Sequence, residues 1–163
     1  MQITPFCLSE LGQGLNNLFE RGDETVPTFR KTPQGYKYTR EHEWICPEAG
    51  DKGKVGLADY AQFHLGDIVF LDLPAPGTQV VQFKKMGEIE SVKAVTDLFA
   101  PASGCVLEIN QTNVDEPTLV NQDPYGAGWL VRLELSQPTE LDNLMDSDEY
   151  DRFVADQSES GSE

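Results

Sequence analysis

The sequence is poor in the residues on which self-contained catalytic and metal sites depend. Its 163 residues include only two histidines and three cysteines, Cys7, Cys46 and Cys105, which lie far apart. No Cys-x-x-Cys pair, Gly-x-Ser-x-Gly elbow, glycine-rich phosphate loop or His-Glu-x-x-His pair occurs. An odd, scattered set of cysteines is no disulfide framework, so we expect reduced thiols and a cytoplasmic setting. We also expect no metal site and no catalytic residues, and therefore a protein that is not itself an enzyme.

Basic residues are also scarce, and long apolar runs are missing. Lysine and arginine number 12 against 28 aspartates and glutamates, which gives a formal net charge of −16. Nucleic acids and anionic lipid surfaces select basic patches, so we expect neither nucleic acid nor membrane as a partner. No window approaches the roughly 20 continuous apolar residues of a membrane span. The acidic surface instead favours solubility, or docking onto basic partner proteins.

Composition divides the chain into four parts, and its length suits a single domain. Residues 1–35 form an N-terminal extension, which we expect to be partly helical or disordered and to end in a linker over residues 27–35. Residues 36–135 have the strand-like pattern of a β domain. Residues 136–154 contain apolar residues at helical spacing, which predicts C-terminal helices packed on that domain. Residues 155–163 are small and polar, which predicts a disordered acidic tail.

The pattern within the β domain predicts many short strands. Short strands at regular turn spacing are typical of a small sandwich or barrel. One short helix fits Asp59–Leu65, with Asp59 as its N-cap and Gly66 as its stop. Asp146 and Glu149 have the capping-box spacing that begins a later helix. The predicted strands are Glu43–Cys46, Gly53–Leu57, Ile68–Leu73, Met86–Val92, Val95–Phe99, Cys105–Ile109 and Trp129–Leu135.

One predicted hairpin has an unusual tip. The strand-like runs 86–92 and 95–99 meet near Lys93, where Asn-Gly or similar turn residues are expected. Val92 and Ala94 flank the lysine instead, and a broken local rule often marks a functional position. A lysine at such a tip points its amine into solvent, which suits covalent attachment of a group. An ordinary surface lysine would show the same spacing, so the tip alone leaves both interpretations open.

Several motifs, in order along the chain, carry a resemblance to a known family. The sequence resembles the H protein of the glycine cleavage system, a lipoyl carrier, from about Tyr36 to Val154. The extension of residues 1–35 is longer than this family usually carries. The motifs are Thr39-Arg40-Glu41-His42-Glu43-Trp44, Asp59-Tyr60-Ala61-Gln62, Leu65-Gly66-Asp67-Ile68-Val69, Glu90-Ser91-Val92-Lys93-Ala94 followed by Asp97 and by Pro101 to Gly104, Asn121 through Trp129, and Glu140 through Met145 with Glu149-Tyr150.

The resemblance implies an all-β barrel-sandwich hybrid of the lipoyl/biotinyl-carrier type, with a short internal helix and C-terminal helices. It also implies that lipoate is attached to Lys93 in amide linkage. The protein would then be a carrier subunit that takes the aminomethyl group of glycine from the decarboxylase to the aminomethyltransferase. The family's cleft for the loaded arm corresponds to Glu43, His64 and Asp97 in this sequence.

The resemblance further implies a set of partner enzymes. These are the pyridoxal-phosphate glycine decarboxylase, the tetrahydrofolate-dependent aminomethyltransferase, dihydrolipoamide dehydrogenase and the lipoate-attaching enzymes. The carrier itself is expected to be a monomer in the cytoplasm, or in the mitochondria of a eukaryote.

Other functions stay open at this point. A biotin carrier is disfavoured, because biotin attachment typically needs Met-Lys-Met and Lys93 lies between Val92 and Ala94. One alternative is an H-like lipoyl protein that serves another pathway, such as sulfur oxidation or lipoate relay between proteins. Another is an interaction module that is never lipoylated.

Overall fold

Two antiparallel sheets form the fold in the part of the chain that the computed structural model describes, residues 29–160. The larger sheet has the spatial order β1 (Lys37–Tyr38), β2 (Glu43–Glu48), β3 (Lys52–Leu57), β9 (Val131–Leu135), β8 (Gly104–Ile109) and β5 (Gln79–Val80). The smaller sheet has the order β4 (Ile68–Asp72), β6 (Lys85–Ser91) and β7 (Val95–Phe99). This arrangement is consistent with the barrel-sandwich hybrid that the resemblance implied.

Short helices connect the strands and follow the last of them. They are α1 (Asp59–Leu65), α2 (Gln111–Asp115), α3 (Leu119–Gln122), a 3₁₀ helix at Pro138–Asn143, and α4 (Ser147–Ser160). The predicted capping box at the start of α4 is confirmed. The backbone N–H of Glu149 donates to the Asp146 side chain, and that of Asp146 donates to the Glu149 side chain, both at 2.9 Å. Within residues 29–160, no helix combines the length and apolar character needed to cross a membrane.

The two sheets bury their apolar faces against each other. Ile89 of β6 and Leu98 of β7 lie on the inner face of the smaller sheet, and both are fully buried. They share one core cluster with Val55 of β3 and Leu133 of β9 from the larger sheet. A second, largely aromatic cluster joins α4 to β1 and β2. The inner face of the smaller sheet therefore fixes it to the larger sheet.

The other face of the β6–β7 hairpin is turned away from this core. The register pairs Glu88 with Asp97 and Glu90 with Val95 across the hairpin. On the β4 side, Phe70 pairs with Glu90. Residues paired in this way point to the same side of a sheet. The outer face of the hairpin thus presents both acidic and apolar side chains, while the inner face anchors it in the core.

The start of α1 differs from the prediction. Ala58 occupies the N-cap position, and no side chain caps the helix there. The Asp59 carboxylate instead binds Arg30, which lies 29 positions earlier in the chain. A short-range capping rule cannot anticipate such a distant partner. The predicted stop at Gly66 is confirmed, since this residue is the C-cap and has a φ of 82°.

Two further predictions need correction. The tail was expected to be disordered from Ala155, but α4 continues to Ser160. Once its first turn has formed, a helix extends at little cost through residues such as Ala155 and Gln157.

Reduced thiols were expected at every cysteine, but Cys46 is disulfide-bonded, whereas Cys105 is free. An odd, scattered cysteine count does not exclude a single disulfide. The predictions for residues 1–28 and 161–163 lie outside the described residues.

Candidate functional site

The tip of the β6–β7 hairpin is shaped by a serine in place of a glycine. The hydroxyl oxygen of Ser91 accepts hydrogen bonds from the backbone N–H groups of Lys93 and Ala94, at 3.0 and 3.1 Å. The N–H of Ser91 donates to the carbonyl oxygen of Ala94 at 2.8 Å and closes the turn. Serine hydroxyls stabilise turns through such local bonds. The result is a closed tip that carries Lys93 at its centre.

The Lys93 side chain is exposed and lies beside the C-terminal end of α1. Its Nζ is 3.4 Å from the backbone carbonyl oxygen of His64. The aliphatic stem passes Gly66, where an added Cβ would lie 3.3 Å from the Lys93 Cε. The φ of Gly66 is also in the left-handed region, which glycine adopts without strain. Gly66 therefore guides the stem, and the amine stays accessible to solvent.

His64 lies next to this tip. Its ring contacts two rings of the same helix, with centroids 4.4 Å from Tyr60 and 5.3 Å from Phe63. Partial burial and the neighbouring positive charge of Lys93 both lower the pKa of the imidazole. Because the pKa falls below its usual value, the ring is neutral at physiological pH.

Glu43 is a buried carboxyl at the start of β2 and is only 1% exposed. Its Oε1 accepts a hydrogen bond from the Thr39 hydroxyl at 2.6 Å, and its Oε2 accepts one from the backbone N–H of Phe99 at 3.0 Å. Burial raises the pKa of Glu43 to about 7, although these hydrogen bonds act in the opposite direction. Glu43 thus joins β2 to the base of β7 and changes its charge near neutral pH.

Glu43 and Phe99 line a cleft of about 590 Å³ that extends to the C-terminal helices. Four carboxylates and one guanidinium belong to its walls, so the cleft is acidic and suits a small cationic group. The other lining residues are Tyr38, Thr39, Arg40, Glu41, Phe83, Asp142, Asn143, Leu144, Met145 and Glu149.

Asp97 lies between the tip and this cleft on the outer face of β7. Val95, Asp97 and Phe99 alternate with inward-facing residues along the strand, so they share that face. The Asp97 carboxylate is 47% exposed and lies 3.3 Å from the Nζ of Lys85. An ordinary surface ion pair of this kind contributes little to stability.

The structure brings some of the proposed site residues together and separates others. His64 contacts Lys93 at the tip, Asp97 lies farther along β7, and Glu43 binds the end of β7. Within the described part of the chain, Glu43 lines the cleft, whereas His64 and Asp97 lie outside its lining. The three residues therefore follow the length of the hairpin and do not surround one point.

Large apolar side chains are exposed around the tip. Contiguous exposed apolar surface is typical of an interaction site. A protein that docks here would cover part of this surface and meet the Lys93 side chain at the same time. The residues, each between 48% and 65% exposed, are Phe63, Val69, Phe70, Val92 and Val95.

An acidic row crosses the smaller sheet beside this apolar surface. The strand registers align Asp72 of β4, Glu88 of β6 and Asp97 of β7, and Glu90 lies one row closer to the tip. Lys85 forms ion pairs with Glu88 and Asp97 and offsets part of this charge. The four carboxylates still outnumber it, and the remaining negative charge suits a basic partner surface. Within residues 29–160, no three or more His, Cys, Asp or Glu side chains are grouped so as to hold a metal ion.

The comparisons with known proteins agree on one family. Residues 36–157 match the family model described as glycine cleavage H-protein. The glycine cleavage system H protein of Symbiobacterium thermophilum is 52% identical over 122 residues, 75% of this chain and 94% of that protein. That of Carboxydothermus hydrogenoformans is 45% identical over 127 residues, 78% of this chain and 97% of that protein.

A solved structure gives the same result. The crystal structure of a glycine cleavage system H protein from Mycobacterium marinum superimposes with a TM-score of 0.66 at 37% sequence identity. The match covers 80% of this chain and 99% of the other. The chain therefore belongs to the glycine cleavage H-protein family, whose members are carrier subunits and not catalytic enzymes.

Proposed function

We propose that Lys93 carries lipoate in amide linkage and that the protein shuttles the aminomethyl group of glycine within a glycine cleavage system. The observation that carries the proposal is the geometry of the tip. Ser91 closes the turn, and the exposed amine of Lys93 projects beyond it. Membership of the H-protein family supports the same residue.

The tip fits a covalently attached acyl arm. When bound, lipoate supplies a disulfide that takes up the aminomethyl group as glycine loses carbon dioxide. The chain itself mounts the arm: the inner faces of β6 and β7 fix the hairpin in the core. Acylation would also remove the positive charge of Lys93, which is one of the two causes that lower the pKa of His64.

We further assign Glu43, His64 and Asp97 to the protection of a cationic amine carried on the arm. An opposite charge lowers the pKa of a carboxyl group. A cation entering the cleft would therefore ionise Glu43, whose pKa of about 7 leaves it partly protonated at neutral pH. His64 and Asp97 lie nearer the tip, along the route that the arm would follow to reach the cleft.

The partners of this proposal are four kinds of enzyme in the cytoplasm. They are the glycine decarboxylase, the aminomethyltransferase, dihydrolipoamide dehydrogenase and the lipoate-attaching enzymes. The exposed apolar side chains around Lys93 and the adjacent acidic row give all of them one surface to dock on. Tethering the arm at this surface makes each transfer a local event.

Intact mass tests the attachment. The wild type produced in cells able to lipoylate should gain one lipoyl group, and Lys93→Arg should gain none. The free energy of unfolding of Lys93→Arg should stay within about 0.5 kcal/mol of the wild type, because the side chain is exposed. Lys84→Arg, at another exposed lysine, is the matched control and should be lipoylated normally. Lipoylated Lys93→Arg would refute the assignment.

A reconstituted exchange assay tests the pathway. With glycine decarboxylase and labelled bicarbonate, the lipoylated protein should support incorporation of the label into glycine. Lipoylated protein that is inactive in this assay would indicate a lipoyl carrier for another pathway. The absence of any lipoyl group would instead indicate an interaction module.

A further inference from the structure

A segment ahead of the family domain is packed against the site. The family match begins at residue 36, but residues 29–32, here called the strap, precede it, and Phe29 and Arg30 of the strap contact α1. The ring of Phe29 lies 5.3 Å from the rings of both Tyr60 and Phe63, and 6.4 Å from that of His64. The strap therefore extends the aromatic surface of α1 up to the residue that touches Lys93.

Arg30 fixes the strap by charge. Its backbone N–H and its Nη1 donate to the two carboxylate oxygens of Asp59, at 2.8 and 2.5 Å. The Asp59 side chain is only 6% exposed, so water and salt screen this ion pair little. The Nη2 of Arg30 donates to the carbonyl oxygen of Gln122, the last residue of α3, at 3.0 Å. One side chain thus links the strap, α1 and α3.

A chain of hydrogen bonds continues from Asp59 to the loop after α1. The Nε2 of Gln62 donates to Asp59 at 2.8 Å. The Nδ2 of Asn121 donates to the Oε1 of Gln62 at 2.8 Å and to the carbonyl oxygen of Gly66 at 3.0 Å. The Oδ1 of Asn121 accepts from the N–H of Ile68 at 2.9 Å. This chain of hydrogen bonds therefore connects Arg30 to the backbone of Gly66 and Ile68. Gly66 lies beside the Lys93 side chain.

Two routes thus run from the strap to Lys93. One consists of rings and ends at His64, and the other consists of hydrogen bonds and ends at Gly66. We propose that Phe29 and Arg30 are positioning residues, and that the strap holds the last turn of α1 in the place that orients Lys93 for the enzymes that modify and use it. This inference rests on the proposed function of Lys93 and extends it to residues outside the family domain.

Three variants of the full-length chain test the strap. Phe29→Ala removes the ring contacts. Arg30→Lys keeps the charge, but an ammonium cannot replace the planar fork that binds Asp59 and Gln122 together. Lys31→Ala changes an exposed neighbour in the same segment and is the matched control.

Nuclear magnetic resonance of the unlipoylated protein reports changes in the surroundings of individual backbone amides. Both strap variants should shift the backbone amide signals of Gly66 and Lys93, and the control should leave them unchanged. Shifts confined to the strap and the first turn of α1 would overturn the proposal. Because this measurement needs no lipoate, its result does not depend on whether Lys93 is ever modified.

The kinetics of lipoate attachment provide the functional readout. Phe29→Ala should raise the KM of the lipoate-attaching enzyme for the protein about two- to tenfold, the range that lost aromatic pairs give, with kcat unchanged. Phe29→Tyr keeps the ring and should have the wild-type KM. This result would show that the effect of Phe29→Ala comes from the lost ring and not from partial unfolding. An unchanged KM in Phe29→Ala would overturn the proposal. A wild type that is never lipoylated would refute the proposed function, and the resonance measurement would then decide on the strap.

Discussion

Glu43 and His42 are neighbours in sequence, yet burial moves their pKa values in opposite directions. Burial raises the pKa of Glu43 from 4.5 to about 7. Burial, assisted by His64, lowers the pKa of His42 from 6.5 to about 4. The Glu43 shift lowers the free energy of unfolding as pH rises from 4.5 to 7, because the folded chain binds the extra proton. The His42 shift raises it between pH 4 and 6.5, because the unfolded chain binds the extra proton.

Glu43→Gln should reveal the contribution of His42 to the pH dependence of the free energy of unfolding. Without the titrating carboxyl, the free energy of unfolding should rise between pH 4.5 and 6.5 more steeply than in the wild type. Relative to the wild type, the variant should gain about 2–3 kcal/mol from pH 4.5 to pH 7, since each pKa unit corresponds to about 1.4 kcal/mol. Urea unfolding across this range measures the effect, with Glu134→Gln, at an exposed site on β9, as control. Parallel curves for Glu43→Gln and wild type would show that Glu43 titrates normally.

At the scale of the element, the hairpin tip depends on one hydroxyl. Ser91→Ala removes the acceptor for the N–H groups of Lys93 and Ala94. Water can replace much of this bonding at the tip, so the loss of stability should be about 1 kcal/mol. Hydrogen exchange at these two amides should become faster, and lipoate attachment should slow because the tip is less ordered.

The matched variant Ser91→Thr keeps the hydroxyl and should preserve both exchange protection and the rate of lipoate attachment. Exchange measured residue by residue distinguishes the two substitutions. If the amides of Lys93 and Ala94 exchanged as slowly in Ser91→Ala as in the wild type, the Ser91 hydroxyl would not be what shapes the tip.

The strength of local signals decided which elements could be predicted. Val95–Phe99 and Asp59–Leu65 have the predicted bounds. The β-branched Val95 and Thr96 and the aromatic Phe99 favour a strand, and Gly66 ends the helix. The strands β1 and β5 were missed, since each has two residues and is too short to show alternation. They are strands only because β2 and β8 pair with them.

The site was predictable in the same uneven way. Lys93 drew attention because its hairpin lacks the usual turn residues, and the family resemblance then favoured it as the attachment residue. Ser91, which replaces those turn residues, looks like an ordinary strand residue in the sequence. Arg30 gave no signal at all. Its partners Asp59 and Gln122 lie 29 and 92 positions away, and only the folded chain brings them together.

At the scale of the whole molecule, part of the net charge of −16 lies where it can guide association. Asp72, Glu88, Glu90 and Asp97 lie on the same side of the sheet that carries the tip. Complementary charge speeds encounter more than it strengthens the final complex. Raising the salt concentration should therefore raise the apparent KM of a partner enzyme for this protein, because exposed charges are screened.

Glu90→Gln should raise the KM of the decarboxylase for the carrier about two- to fivefold at low salt, the range expected for one exposed charge pair. It should also flatten the salt dependence. Glu134→Gln makes the same change of charge on β9, in the other sheet, and should have no effect. Equal KM values for the two variants would show that net charge, and not the acidic row, governs docking.

The apolar side chains around Lys93 also determine how the protein behaves as a colloid. The isoelectric point calculated from the sequence is about 4.3, so at neutral pH copies of the chain repel one another. As the pH approaches that value the repulsion disappears, while Phe70, Val92 and Val95 remain exposed. The surface that we propose for docking then becomes a route to precipitation. The net negative charge of the chain thus keeps the protein soluble at high concentration although apolar side chains are exposed around Lys93.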